Sequence, residues 1–208
     1  MRSLIAILLV CSLFSCSSTK QPEDFYFPMK NFLSGKTFTY INRNDTSDWT
    51  KWTMRAIPKG DDTIFTTLSS DSKHGLTDSA AELVRNGKSK MIAYTLYDYS
   101  DSGQQTVTVT KIIDSTIFDP GLKNGEMFSW KLTFTDFRTG KPASLSKIRK
   151  LNTVTDIRQE FADELTLDLP NYNPIHYSAV MTYQKGIGLV EYVLTTSKDH
   201  VQDYVLQQ

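Results

Sequence analysis

From Lys36 onward the chain alternates β-branched and aromatic residues with polar ones at period two, in short stretches bounded by Gly, Asn, Asp and Pro. That pattern leaves room for little except strands. Residues 36–43 set Phe38, Tyr40 and Asn42 against Thr37, Thr39 and Ile41, and residues 50–57 place Trp52, Met54 and Ala56 on one face. Residues 63–69 follow as a third strand. Residues 81–85 and 89–97 then flank Asn86-Gly87, a pair at ease at positive φ and suited to a two-residue hairpin turn.

Further on, residues 105–113 read as a strand rich in Thr and Val that could run on to Phe118 before Asp119-Pro120-Gly121 stops it. Residues 127–137 alternate Phe128, Trp130, Leu132, Phe134 and Asp136 against polar neighbours. Residues 144–155 and 165–169 are weaker strands, and 157–164 is the one stretch where a helical turn or two would fit. Residues 177–183 and 189–195 pair around Lys185-Gly186-Ile187-Gly188, and 201–206 predict a final edge strand. About ten strands with short connections must curl on themselves to bury one face. The expected fold is all-β, or β-rich with one or two short helices. It is a curved antiparallel sheet of meander topology, closed as a half-barrel, barrel or sandwich.

The amino terminus has a different character. Arg2 is followed by an apolar run over residues 4–13, then Phe14, the small residue Ser15, and Cys16. Cys11 and Ser12 interrupt the run, which falls short of the roughly 20 residues a membrane-crossing helix needs. Leu13, Ser15 and Cys16 resemble the signal of Gram-negative bacterial lipoproteins, although Phe14 is bulkier than usual there. The resemblance implies acylation of Cys16 and a membrane-tethered mature protein, whereas an ordinary secretory signal would leave Cys16 incidental. Acyl chains contribute roughly 0.8 kcal/mol per buried methylene, so two or three hold a protein almost permanently. Ser17, where an aspartate would favour the inner membrane in that class, points to the outer membrane, with the leaflet open. The expected organisation is a signal peptide over 1–15, a lipidated, flexible tether over 16–24 and one β domain over 25–208.

Both cysteines, Cys11 and Cys16, lie in the signal region, so disulfides, thiolate catalysis and cysteine-rich zinc sites are excluded from the domain. Formal charge is zero and the lysines are scattered, which argues against a nucleic-acid partner. No nucleophile elbow, phosphate-binding glycine loop or paired-histidine metalloprotease motif occurs. His74, His176 and His200 stand far apart with no acid at ligand spacing between any two of them. The run from Asp98 to Gly103 has oxygen side chains at alternate positions, as a calcium loop does. Val109 stands where the twelfth-position carboxylate would be needed, so a hairpin turn is the better account. The acid doublets Asp61-Asp62 and Asp163-Glu164, with Asp168 nearby, could serve a glycosidase only if acids from separate strands met, because neighbours on a strand face opposite ways. Gly186-Ile187-Gly188 lacks a following helix to hold a phosphate and reads as a turn. No catalytic residue, metal ligand or cofactor site is expected.

Aromatic residues make up 12% of the chain, above what an ordinary core requires. Most belong in a core, but a concave sheet could present some to an acyl chain or a sugar. Tyr94 shares its alternation with Ile92 and Leu96, and Tyr192 with Val190 and Leu194, so both should point into whatever the sheet encloses. Trp52, Tyr94, Trp130 and Tyr192 are the candidate ligand-binding residues. The run Tyr26-Phe27-Pro28-Met29-Lys30, then Gly35-Lys36-Thr37-Phe38-Thr39-Tyr40, and near the end Tyr183 to Val190, resemble a pattern among uncharacterised envelope lipoproteins. Their domains are similar to the curved sheets of the LolA and LolB carriers, a likeness that carries no catalytic residue. These features together predict a non-enzymatic envelope lipoprotein whose concave face binds an apolar ligand, an acyl chain or an envelope protein partner. The alternatives are a carboxylate-dependent hydrolase acting on envelope glycans and a protein-binding scaffold with no pocket.

Overall fold

The computed structural model of the protein describes residues 25–100, 103–113, 115–136, 139–196 and 200–207. Cys16, the signal and the tether lie outside the described residues, as do Asp101 and Ser102 of the calcium-like run. A single turn of 3-10 helix, Met29–Phe32, precedes β1 (Lys36–Asn42), β2 (Asp45–Lys59), β3 (Asp62–Asp71), β4 (Gly75–Arg85) and β5 (Lys88–Ser100). Next come β6 (Gly103–Ile113), β7 (Thr116–Phe118), β8 (Met127–Thr135) and β9 (Pro142–Val154). The chain ends with β10 (Arg158–Asp168), β11 (Ile175–Gln184), β12 (Gly188–Thr196) and β13 (Val201–Leu206).

Asn86 and Gly87 sit at φ 50° and 74°, with Arg85 paired directly to Lys88, so the predicted hairpin forms with the left-handed turn its residues favour. All the pairings are antiparallel, and apart from the short β7 each strand lies beside its sequence neighbours. Twelve strands form a nearly closed barrel of meander topology. Strand β5 spans the seam: its first half pairs with β4 and its second half with β6, while β7 lies beside its first half.

Three local expectations are corrected. Residues 158–168 form a full strand, β10, paired along its length with both β9 and β11, so no helical turn occurs there. β-Pairing on both sides outweighs the weak local propensity of Arg158 to Glu164. β13 is no edge strand, because it joins β1 to β12 and brings the first and last strands of the chain together. The stretch after Ile113 does not run on, and Phe118 belongs to the separate β7, where it is fully buried.

Twelve strands make a ring wider than side chains alone can fill; about eight is the limit for a packed interior. At one end the space is taken by the segment before β1. Phe25, Tyr26, Phe27 and Phe32 are all buried there and enter one cluster with Phe38, Met54, Phe65, Phe118, Phe161 and Leu189. Ring centroids stand 4.8 Å apart for Tyr26 and Phe118 and 5.4 Å for Phe27 and Phe65, both tilted, and Phe27 meets Phe32 at 5.7 Å in the edge-to-face arrangement that aromatic quadrupoles favour. Each buried ring contributes about 1.5–3 kcal/mol, so this plug is a main anchor of the fold. Lys51, Arg55, Lys131, Lys150 and Glu164 project from the outer face, where a membrane-spanning barrel would carry an apolar band. Among the described residues no helix is long and apolar enough to cross a membrane.

Candidate functional site

The plug fills one end of the lumen and leaves a partly open cavity of about 390 Å³ above it. This volume lies toward the small end of the roughly 300–1,000 Å³ typical of small-molecule sites. Tyr26 and Phe27 form the floor, and the walls come from inward-facing positions of β2 to β5 and β8 to β12. Trp52, Tyr94, Trp130 and Tyr192 all line it, so the four aromatic residues singled out in the sequence meet in one chamber. Tyr192 stacks on Trp52 at 6.1 Å and on Tyr204 at 4.8 Å, and its hydroxyl lies 2.6 Å from Thr50 Oγ1. Burial, with a smaller contribution from Asp78, pushes the Tyr94 hydroxyl well above the usual tyrosine range.

Tyr94 and Tyr192 reach the lumen by a route the plain alternation does not describe. In β5 the register shifts so that Ala81 faces Ala93 while Glu82 faces Met91, which makes Ile92 the extra residue of a β-bulge and leaves it exposed. In β12 Thr182 faces Glu191 while Tyr183 faces Leu189, so Val190 is the extra residue and Leu189 takes the buried place. Ile92 and Val190 therefore do not share the inward set of Tyr94 and Tyr192. Each bulge switches the faces, so the apolar floor and the aromatic wall occupy one side of the same strand.

Between floor and wall lies a charged layer that hydrophobic patterning alone does not reveal. Lys147 and Arg149 project inward from β9 between Leu145 and Leu151, at positions the alternation assigns to the core. Asp163 stands directly across from Arg149 on β10. The Arg149 fork donates Nε to Asp163 Oδ1 at 2.7 Å and Nη2 to Oδ2 at 2.6 Å. Its Nη1 donates to the Ile117 carbonyl at 3.1 Å and reaches the Tyr183 hydroxyl at 3.4 Å. The guanidinium also lies over the Phe161 ring at 5.2 Å. Lys147 Nζ sits 2.9 Å from Asp163 Oδ2 and over the Trp130 ring at 5.5 Å. Burial works against the Asp163 charge, but the two cations outweigh it and hold the carboxyl far below its ordinary range. Burial lowers Lys147, partly offset by Asp163.

Glu82 lies nearer the floor. Tyr26 donates its hydroxyl to Glu82 Oε2 at 2.5 Å, and Ser89 donates to the same oxygen. Burial raises Glu82 despite these bonds, and it raises Asp78, which accepts from Ser69 and Thr77. The doublet on β10 separates as strand geometry requires, with Asp163 pointing in and Glu164 out, whereas Asp61 is exposed in the turn before β3 and Asp62 is on the surface in an ion pair with Arg85. Asp168 is exposed. Asp163 is thus tied into an ion pair. The histidines are dispersed, His74 beside Asp71, His176 beside Thr166 and His200 exposed. Among the described residues no group of three or more acids, histidines or cysteines is placed to hold a metal. Gly186 and Gly188 form the turn between β11 and β12, as their sequence predicts.

No protein family and no curated protein matches this chain. Two solved structures do. One is a Bacteroides fragilis protein described as exported and of YmcC-like fold, with 14% identity and a TM-score of 0.52, covering 89% of this chain and 98% of its own. The other is a Parabacteroides distasonis protein described as a lipoprotein, with 11% identity and a TM-score of 0.49 over the same shares. At such identity the first likeness shows the fold alone. That fold is the YmcC-like one, and the likeness does not extend to the LolA or LolB carriers in particular.

Proposed function

We propose that this chain is a cell-envelope lipoprotein without catalytic function, tethered to the outer membrane through an acylated Cys16, whose barrel binds a small apolar or amphipathic ligand in its lumen. The cavity of about 390 Å³ framed by Trp52, Tyr94, Trp130 and Tyr192 carries this reading, because closely packed proteins rarely leave such a volume beside exposed aromatic faces. The charged outer wall and the aromatic faces within the lumen suit a barrel that works in water and shelters an apolar or amphipathic guest. A chamber of this size suits one chain or ring system and is too small for a whole multiply acylated lipid. A pocketless scaffold would have no use for it.

Native mass spectrometry of the full chain, gently extracted from membranes, tests the ligand. The expected result is a bound small molecule that is lost when the lumen is filled by Ala179→Phe. A ligand-free protein whose tryptophan emission ignores added amphiphiles would sink the reading. Metabolic labelling with a fatty acid, lost in Cys16→Ser, tests the tether separately.

A further inference from the structure

The charged groups facing the lumen differ in how far their bonding capacity is met. Arg149 is fully engaged by Asp163, the Ile117 carbonyl, Tyr183 and Met181 Sδ. Glu82 takes Tyr26 and Ser89, and Asp78 takes Ser69 and Thr77. At the rim, Asp71 accepts from the backbone N–H groups of Lys73 and His74 and contacts the His74 ring. Lys147 differs from these. An ammonium has three donors, and within the described residues one is taken by Asp163 Oδ2 while the Trp130 ring lies beneath the charge. Only 15% of its side chain is exposed, so bulk water is a poor substitute for the missing acceptors.

Lys147 also stands at a chemical boundary. Arg149 and Asp163 lie below it toward the plug, Leu165 stands directly across from it on β10, and Leu145 is the next inward-facing residue of β9 away from the plug. Arg149 and Lys147 together carry one positive charge more than Asp163, and burial opposes ionisation of Glu82 and Asp78, the other carboxyls of this part of the lumen. An incoming anion would find a cation with open donors beside Trp130, Leu145 and Leu165.

Resting on the reading that the lumen binds a ligand, we propose that this ligand is an amphiphile with one anionic head, a carboxylate or a phosphate monoester. The head accepts hydrogen bonds from Lys147 Nζ, and the tail runs toward the mouth past Leu145, Leu165 and Tyr94. The mature chain, residues 16–208 with Cys16→Ser to dispense with detergent, is titrated with dodecanoate, dodecyl phosphate, dodecanol, dodecylamine and acetate, and binding is followed by tryptophan emission and calorimetry. A charge-assisted bond of about 1.5–3 kcal/mol makes the anionic amphiphiles roughly tenfold or more tighter than dodecanol. Lys147→Met removes that preference and leaves dodecanol binding in place, whereas Lys147→Arg retains it. Comparing dodecanoate with dodecyl phosphate identifies the head. Dodecanol binding as tightly as dodecanoate, dodecylamine binding most tightly, or acetate competing as well as dodecanoate would each overturn the proposal and leave the lumen reading intact. Failure of every amphiphile to bind would sink the lumen reading itself. Should Lys147→Met fail to fold, the wild-type series still decides the preference for charge.

Discussion

Gly188 lies against the face of Phe27 so closely that a Cβ built on it would overlap ring carbon Cδ1 and stand 2.7 Å from Cε1. The start of β12 is thus moulded to the plug, and the glycine is required twice, since its φ of 103° also disfavours any side chain. Gly188→Ala should destabilise the protein by about 3 kcal/mol, combining overpacking with a strained backbone. Gly186, two residues earlier at φ 76°, faces open space, so Gly186→Ala should lose only about 1 kcal/mol. Urea denaturation of the two variants makes the comparison. Equal losses would mean that Phe27 does not occupy the position described.

The same contact predicts coupling. Phe27→Ala alone removes a buried ring and should lose about 3–5 kcal/mol. In the double variant the alanine methyl at 188 meets the space the ring has left, so the combined loss should fall short of the sum by about 1 kcal/mol or more. Strict additivity in a double-mutant cycle would show that the two residues do not touch.

The strand content of the barrel is legible in the sequence because period-two patterning reports which face is buried, and Phe38, Tyr40, Met54, Ala56, Leu132 and Phe134 all turn inward as their alternation says. What that pattern cannot report is a one-residue bulge. Ile92 and Val190 continue an apolar alternation on paper, and only the cross-strand register reveals that Met91 and Leu189 take their places. The place of β13 beside β1 is equally hidden, since the pairing of Tyr40 with Leu206 spans the whole domain. The aromatic part of the candidate site follows from residue type and strand phase. Its charged layer leaves a fainter trace in Lys147 and Arg149 at core-phase positions of β9, which reads as an interruption until Asp163 is placed across from them.

Asp163 should govern the acid limb of stability. Its folded carboxyl titrates far below the unfolded value of about 3.9, so the stabilisation it brings is fully present above that value. It drains away as pH falls toward the folded pKa, because the unfolded chain takes up the proton first. Asp163→Asn leaves Arg149 and Lys147 facing each other in a buried layer and should lose about 3–5 kcal/mol at pH 7. Urea midpoints at pH 7 and pH 3 for both proteins are the measurement. The variant should lose less than wild type on acidification, and parallel losses would show that Asp163 contributes nothing to the acid limb.

Glu82 should act in the opposite direction. Burial raises its folded pKa above the unfolded value of about 4.3, so between those values the native state holds a proton that the unfolded chain has released. Stability therefore rises as pH falls through the folded pKa, and the gain is complete once pH reaches the unfolded value. Glu82→Gln fixes the neutral form and keeps a carbonyl oxygen where Tyr26 and Ser89 both donate. It should be more stable than wild type at pH 8 and closely match it at pH 4. Glu82→Ala, by contrast, strands both donors in an apolar layer and should lose about 1–3 kcal/mol at either pH. If the glutamine variant keeps the wild-type slope between pH 4 and pH 8, the folded barrel does not raise the Glu82 carboxyl above its unfolded value.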